Sequence, residues 1–314
     1  MDFESLAKDL SNEQLDLTPG MLGQLSGLSR EENEQIAEVF ADIPALRRRK
    51  ILTSLVAMSD DNIELDFLGV FCSSLADSEP DIRILAASGL WETTDRNAIA
   101  PLINTLEADQ SLDVRAAAAI ALAHFVELYV AGKLIERDGN KLCESLNCIL
   151  EDQNIDLAVR RRALEALAAT NTNSINNWIH WAYANESLDM KQSALYSMGR
   201  TCDSRWMPVI LDELENEEPA IRYEAANAAR EIADPEALPV LHDAVSDSDS
   251  QVAIAAVNAI GGIGGVNAKK LLHNYIENGD APISEAAEQA LKELESDESD
   301  FSMLNTHEDY IDEV

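Results

Sequence analysis

A spacing of 31 residues recurs along this chain of 314 residues and constrains its fold more than any single residue does. The clearest copies each contain an aliphatic residue, then arginine, then a pair of alanines, and they begin at Asp81, Asp113 and Ala220. A repeat of this length is typical of a helical solenoid, in which each repeat forms one helix pair that stacks on the pair before it. The sequence therefore predicts an all-α solenoid of about eight stacked helix pairs.

The aliphatic residue of each copy, here called position zero, is followed by alanine at position four and an apolar residue at position eight. This spacing places all three on one face of a helix, which predicts the buried inner helix of each pair. Alanine suits position four because helices whose axes lie about 8–10 Å apart leave little room for a larger side chain. Positions zero, four and eight are Ile82, Ala86 and Leu90; Val114, Ala118 and Leu122; Val159, Ala163 and Leu167; Met190, Ala194 and Met198; Ile221, Ala225 and Ala229; Val252, Ala256 and Ile260; and Ile283, Ala287 and Leu291.

Prolines stand thirteen residues before position zero in three copies, at Pro101, Pro208 and Pro239. Proline is favoured in the first turn of a helix, so these residues predict the start of the outer helix of each pair. Together, the proline, the aliphatic pair after it and the later Asp-(Val/Ile)-Arg-x-x-Ala-Ala segment resemble the HEAT-repeat superfamily. The similarity is greatest to the short bacterial HEAT-like repeats of the phycobilisome-lyase type. This resemblance covers roughly residues 29–292 and implies a right-handed superhelix.

Three segments depart from the repeat. Residues 1–28 precede the array, and we interpret them as an N-terminal cap. The step from Val114 to Val159 is about 14 residues longer than the others, which predicts an insertion near residues 126–140, either as an extended helix or as a loop. Residues 293–314 contain nine acids and no Lys or Arg, a composition that predicts a disordered tail.

The net charge of −35 disfavours nucleic acid and anionic membranes as partners and favours a protein with a basic surface. A saline habitat is an alternative explanation of the acidity. No apolar run has the length of a membrane span, and no signal peptide is evident, so we expect a cytoplasmic protein without membrane insertion. The four cysteines show neither paired CxxC motifs nor the spacing of a zinc site.

Sequence motifs for catalysis are lacking. The glycine-rich segment 261–265 is not followed by the Lys-Ser or Lys-Thr of a phosphate-binding loop. His180, His242 and His273 share one repeat position, but equivalent residues about 8–10 Å apart do not share a metal. Among HEAT-like enzymes, deoxyhypusine hydroxylases bind iron through repeated His-Glu pairs, and the only such pair here is His307-Glu308. We therefore predict that the chain is not an enzyme and binds neither metal nor cofactor.

The side chains at positions two and six of the inner helices are predicted to line a concave face, where solenoids bind partners. Tyrosine and arginine are enriched at binding hot spots, which favours the middle repeats. Ordinary solvated positions are the alternative interpretation. Trp181 replaces a polar residue found in other repeats and marks either a second patch or local packing. The predicted partner-binding residues are Arg161, Glu165, Gln192, Tyr196, Arg200, Tyr223, Asn227 and Asn258.

A base follows position zero in five consecutive copies, and an aspartate precedes position zero in three of them. We expect these residues to form a structural ladder of ion pairs between neighbouring repeats, with a basic binding groove as the alternative. The bases are Arg83, Arg115, Arg160, Lys191 and Arg222, and the acids are Asp81, Asp113 and Asp189.

These patterns favour a non-catalytic scaffold or adaptor that binds a protein partner on the concave face. Two alternatives stay open: a helper subunit for attachment of a bilin-type cofactor, as the resemblance implies, and a HEAT-like enzyme.

Overall fold

The structure is a computed structural model that describes the backbone of residues 3–308 and the side chains of residues 5–296. Within that part of the chain the regular elements are helices, and no strand is present. The α-helices are α1 (Phe3–Ser11), α2 (Pro19–Leu22), α3 (Arg30–Asp42), α4 (Ala45–Asp61), α5 (Leu68–Ser74), α6 (Pro80–Ser88), α7 (Ile99–Ala108), α8 (Leu112–Val130), α9 (Glu136–Glu151), α10 (Leu157–Leu167), α11 (Asn173–Tyr183), α12 (Leu188–Arg200), α13 (Met207–Glu213), α14 (Pro219–Ile232), α15 (Leu238–Ala244), α16 (Ser250–Ile263), α17 (Gly265–Asn278) and α18 (Ala281–Glu308).

From α3 to α18 the described helices form eight consecutive pairs, which confirms the predicted all-α fold and the number of pairs. Two compact units divide the chain, residues 1–170 and residues 171–314. In the first unit the inner helices α4, α6, α8 and α10 pack in sequence order, and in the second unit α12, α14, α16 and α18 do the same. The core of each unit is thus a row of inner helices.

The inner-helix pattern places its residues as predicted. The alanines at position four, from Ala86 to Ala287, are all fully buried. The residues at position zero are also buried, except that Ile283 in the last pair is half-buried. At Gly199 the neighbouring helices approach closely, since a Cβ added there would lie 2.8 Å from Cα of Ala228. Small side chains therefore set the distance between α12 and α14.

The outer helices begin differently from the prediction. Pro208 and Pro239 are the second residues of α13 and α15, and Pro101 is the third residue of α7. A short 3-10 turn precedes each of these helices, and an aspartate side chain accepts a backbone N–H at its start. These aspartates are Asp95, Asp203 and Asp234. The side chain thus satisfies a donor that the first turn of a helix leaves unpaired.

The insertion near residues 126–140 lengthens two helices. Helix α8 continues to Val130, and α9 begins at Glu136 after a short turn. The ring of Tyr129 lies against Gly139, and its hydroxyl donates to Oδ1 of Asn140 at 2.6 Å. Of the two predicted forms, the extended helix is the one present.

The predicted disorder from residue 293 is wrong for the backbone as far as Glu308, because α18 continues to that residue. Residues 293–308 lack glycine and proline, and their Glu, Leu and Met residues favour a helix. Residues 309–314, where the rest of this prediction falls, lie outside the described residues. The cap assigned to residues 1–28 contains α1 and α2, and its role stays a prediction.

Candidate partner-binding surface

Ion pairs link neighbouring repeats, but their acids are not the predicted ones. Nε and Nη2 of Arg222 donate to the two carboxylate oxygens of Asp247 at 2.6 and 2.7 Å. Arg83 pairs with Asp109 in the same two-pronged geometry, at 2.7 and 2.8 Å. Arg48 pairs likewise with Asp77. Each acid lies in the turn between the helices of the following repeat, because the arginine side chain extends toward that turn.

Asp81, Asp113 and Asp189 are not the partners of these arginines. Asp81 pairs with Arg49, and Asp113 and Asp189 are exposed residues in the first turns of α8 and α12. Carboxylates are stabilised at a helix N-terminus by the partial positive charge of the helix dipole. The aspartate before position zero therefore favours the helix start in these copies.

The remaining predicted bases bind other groups. Nε of Arg115 donates to the carbonyl of Leu106 at 2.7 Å, and Nε of Arg160 donates to that of Leu150 at 2.9 Å. Both carbonyls lie near the end of the preceding outer helix, where the last turn lacks internal partners. Arg115 and Arg160 thus each connect the inner helix to the outer helix of the same pair by a hydrogen bond.

Lys191 belongs to a buried polar network in the second unit. Its ammonium lies 2.6 Å from Oε1 of Glu213 and 5.2 Å from the centre of the Tyr183 ring. Tyr183 donates its hydroxyl to Glu213, and Asn216 donates its amide at 2.6 Å. Burial raises the pKa of Glu213, but the hydrogen bonds from these three donors together lower it by more. The pKa of Glu213 therefore lies below its ordinary value. Glu213 is therefore a charged residue held in the interior.

One sequence signal would have identified the acids of the ladder. Five residues before position zero, every aligned copy has aspartate or asparagine. The side chain at this position accepts a backbone N–H two residues later in most copies, for example that of Ser111 on Asp109 and that of Glu218 on Asn216. This contact closes the turn between the helices. Arg48, Arg83 and Arg222 pair with a carboxylate here, and in each case the next copy has aspartate at this position.

The second unit presents a surface along α12, α14 and α16 that we call the tyrosine surface. Tyr196 is 39% exposed and Tyr223 is 41% exposed, on neighbouring helices. Nη1 of Arg200 lies 2.7 Å from Oε2 of Glu231, which holds the guanidinium one turn beyond Tyr196. The half-buried amides beside them offer both hydrogen-bond donors and acceptors. The tyrosine surface consists of Gln192, Tyr196, Arg200, Tyr223, Asn227 and Asn258.

Two other predicted residues lie in the first unit. Arg161 and Glu165 are one turn apart on α10, and Nη1 of Arg161 lies 3.7 Å from Oε1 of Glu165. Arg162 binds the same carboxylate at 2.6 Å. This side of α10 therefore presents an internally paired charge cluster, which differs in chemistry from the tyrosine surface.

Trp181 packs locally, in agreement with one of the two interpretations. Its ring meets that of Trp178 edge to face, with ring centres 5.3 Å apart. Both side chains are half-buried on α11. His180, on the same helix, packs on the buried Trp206 at 4.7 Å between ring centres. Trp181 is thus part of an aromatic cluster on an outer helix.

The histidines at one repeat position have separate environments. His180 contacts Trp206, and Nδ1 of His242 hydrogen-bonds the hydroxyl of Tyr275. Over the residues whose side chains are described, no group of three or more His, Cys, Asp and Glu residues is arranged to hold a metal ion. The side chains of His307 and Glu308 lie outside that part. Across the described helices, none is long and apolar enough to cross a membrane.

Comparisons with known proteins identify the repeat. Residues 207–292 match the family model for HEAT repeats, which confirms the resemblance from α13 through α17 and into the start of α18. A curated relative, deoxyhypusine hydroxylase of Bos taurus, is 34% identical over 87 residues. This match spans 27% of the present chain and 29% of that relative, less than a third of its length.

Alignments with solved structures extend over more of the chain. Kap95p bound to RanGDP aligns with a TM-score of 0.50 at 14% identity, over 92% of this chain and 45% of that chain. The CpcE–CpcF complex of phycocyanin lyase from Nostoc sp. gives 0.47 at 19% identity, over 73% and 94% of the two chains. Human deoxyhypusine hydroxylase gives 0.37 at 16% identity, over 85% and 96%. The likeness to Kap95p supports the helical solenoid fold.

The prediction that the chain is not an enzyme is contradicted by these comparisons, because the curated relative that it matches is itself an enzyme. That prediction depended on the absence of short catalytic motifs. Such motifs report residues that are close in sequence, and a repeat fold brings together residues from different repeats.

Proposed function

We propose that this chain binds a protein partner through the tyrosine surface and acts as a scaffold or adaptor. The observation that supports the proposal is the exposure of Tyr196 and Tyr223 on neighbouring inner helices, with the ion-paired Arg200 one turn away. Tyrosine contributes a large contact area and a hydroxyl while losing little side-chain entropy, and tyrosine and arginine are enriched at binding hot spots.

The fold and the charge support the same proposal. Kap95p, which has the same fold class, binds RanGDP, and rows of stacked helices provide long surfaces for such contacts. The net charge of −35 steers basic proteins toward this chain. We therefore propose a partner that presents basic groups around an apolar centre, so that the tyrosines bury apolar area while the surrounding acids attract the partner.

The test is affinity capture from native lysate with the purified full chain and a Tyr196→Ala/Tyr223→Ala variant, at low and high salt. Both tyrosines are more than a third exposed, so their truncation leaves the core intact, and circular dichroism checks this. We expect the wild type to retain a partner that the variant loses, and we expect retention at high salt. Apolar contacts persist under such conditions, whereas exposed charges are screened beyond about 8–10 Å near physiological ionic strength.

The matched control is an Ile63→Ala/Val266→Ala variant, which also truncates two exposed apolar residues, 94% and 71% exposed, outside the tyrosine surface. It should retain the partner. Equal capture by wild type and the tyrosine variant, with loss of both at high salt, would contradict the proposal. Saturable binding of a bilin with a changed absorption spectrum, unaffected by the tyrosine substitutions, would instead support the cofactor-attachment hypothesis.

A further inference from the structure

The row of basic residues that follow position zero ends at α16, where the corresponding residue is alanine. The residue after position zero is a base in five consecutive copies up to Arg222 and is Ala253 in the next copy. Arg83 and Arg222 show which groups an arginine side chain contacts at this repeat position. Its guanidinium lies between the turn of its own repeat and the turn of the next repeat.

The contacts of these two arginines are equivalent, which defines a guanidinium site by repeat position. Nη1 of Arg222 donates to the carbonyls of Asn216 and Glu217, at 2.8 and 3.1 Å, in the turn of its own repeat. Nη1 of Arg83 donates to the equivalent carbonyls of Asp77 and Ser78. The other nitrogens donate to the side chain five residues before position zero of the next repeat. The residues equivalent to these acceptors around Ala253 are Asp247, Ser248 and Asn278.

A cleft of about 510 Å³ lies at this place in the second unit. Its lining includes Ala253 and all three equivalent residues, Asp247, Ser248 and Asn278. Asp280 also lines it, and none of the lining residues is basic. The carboxylate of Asp247 is engaged by Arg222, so Asp280 supplies the negative charge of the cleft. The cleft has the acceptors of a guanidinium site, and the alanine leaves space that an arginine side chain occupies in earlier repeats.

We propose that this cleft binds the guanidinium group of an arginine side chain from a basic partner protein, which completes the ladder in trans. The backbone carbonyls of Asp247 and Ser248 and the amide oxygen of Asn278, whose Nδ2 donates to Asn274, are acceptors for a planar fork of donors, a geometry that suits guanidinium better than ammonium. Tyr275 also lines the cleft, and its buried ring stacks on that of His242. This site is separate from the tyrosine surface and does not depend on the function proposed for that surface.

The test uses methylguanidinium as the probe and the purified full chain, with amide chemical shifts measured by nuclear magnetic resonance. We expect saturable shifts at Asp247, Ser248 and Asn278, and weaker binding of methylammonium at the same amides. Asn278→Asp places a carboxylate at the position equivalent to Asp109 and Asp247, which Arg83 and Arg222 bind. We expect about tenfold tighter binding of methylguanidinium to this variant, since hydrogen bonds to charged groups are stronger.

The second part of the test fills the cleft with an arginine of the chain itself. Ala253→Arg places a guanidinium where the ladder positions it, and we expect loss of the probe shifts together with a higher midpoint of thermal unfolding. Shifts that do not saturate, or unchanged binding in Asn278→Asp, would overturn the proposal even if Ala253→Arg did not fold. Tyr196→Ala/Tyr223→Ala should bind methylguanidinium normally, so failure of the tyrosine surface and failure of this cleft are distinguished.

Discussion

Replacing Arg222 with methionine tests whether the ladder stabilises the stack of helices. The Arg222 and Asp247 side chains are only 12% and 10% exposed, and two hydrogen bonds of 2.6 and 2.7 Å join them. Nη1 of Arg222 also binds two carbonyls of its own turn. Methionine preserves much of the apolar stem but removes all four of these hydrogen bonds and leaves the Asp247 carboxylate without its cation.

The expected cost follows from this geometry. Removing one partner of a buried ion pair destabilises a protein by about 3–5 kcal/mol, because the remaining charge stays desolvated. Asp247→Asn should cost less, about 1–3 kcal/mol, since Arg222 keeps its carbonyl contacts and asparagine closes the same turn elsewhere, as at Asn216. The double variant should be less destabilised than the sum of the single variants, with a coupling of about 1–3 kcal/mol.

The assay is urea unfolding of the four proteins, followed by circular dichroism, with the slopes compared to verify that the exposed area on unfolding is unchanged. The control is Arg30→Met, which removes the Arg30–Glu34 pair, whose side chains are 94% and 68% exposed. An exposed pair contributes little, so this variant should unfold like wild type. Additive effects of Arg222→Met and Asp247→Asn would refute the reasoning that their interaction stabilises the fold.

Two further predictions concern packing and pH. Gly199→Ala should lower the free energy of unfolding by about 1–3 kcal/mol in a urea titration, because the new Cβ meets the backbone of Ala228 at 2.8 Å, whereas Gly23→Ala, with open space around it, should not destabilise. Hydrogen bonding by Arg222 lowers the pKa of Asp247 in the folded state. The ionised Asp247 therefore stabilises the fold above the pKa of an unfolded aspartate, about 3.9, and this stabilisation is lost as the pH falls below that value through the lower folded pKa. The midpoint of thermal unfolding should consequently decrease less on acidification in Asp247→Asn than in wild type.

The sequence predicted the stacked helices well because close packing imposes a strict rule. Ala118 and Ala225 are fully buried, as the spacing indicated, since any larger residue at position four would force neighbouring helices apart. The same reasoning failed for the acids of the ladder. Asp81 stands two residues before Arg83, yet Arg83 pairs with Asp109, because the direction of its long side chain depends on the stacking of the next repeat.

The candidate surfaces were less predictable, for a related reason. Hydrophobic spacing identifies which helix face is buried, and it therefore identified Tyr196 and Tyr223 as positions between buried ones. Hydrophobic spacing does not indicate which neighbouring groups a polar side chain binds. Arg161 was predicted as a binding residue, and it lies beside Glu165 in a cluster of paired charges. Such pairing depends on rotamers that the sequence does not specify.

Departures from the repeat are therefore the most informative residues for function. Stacking of the helices requires a small side chain at position four, but it does not restrict the residue type at positions two and six. The fold therefore does not explain why Tyr223 and Tyr196 are tyrosines. The replacement at Ala253 differs in kind, since arginine at the same position stabilises earlier repeats through a nearly buried ion pair. Arg222 is the last base at this position, and beside Ala253 the chain has a cleft lined by the matching acceptors. An arginine supplied by a partner would restore the contact, so binding at the cleft and stability of the last repeats should increase together.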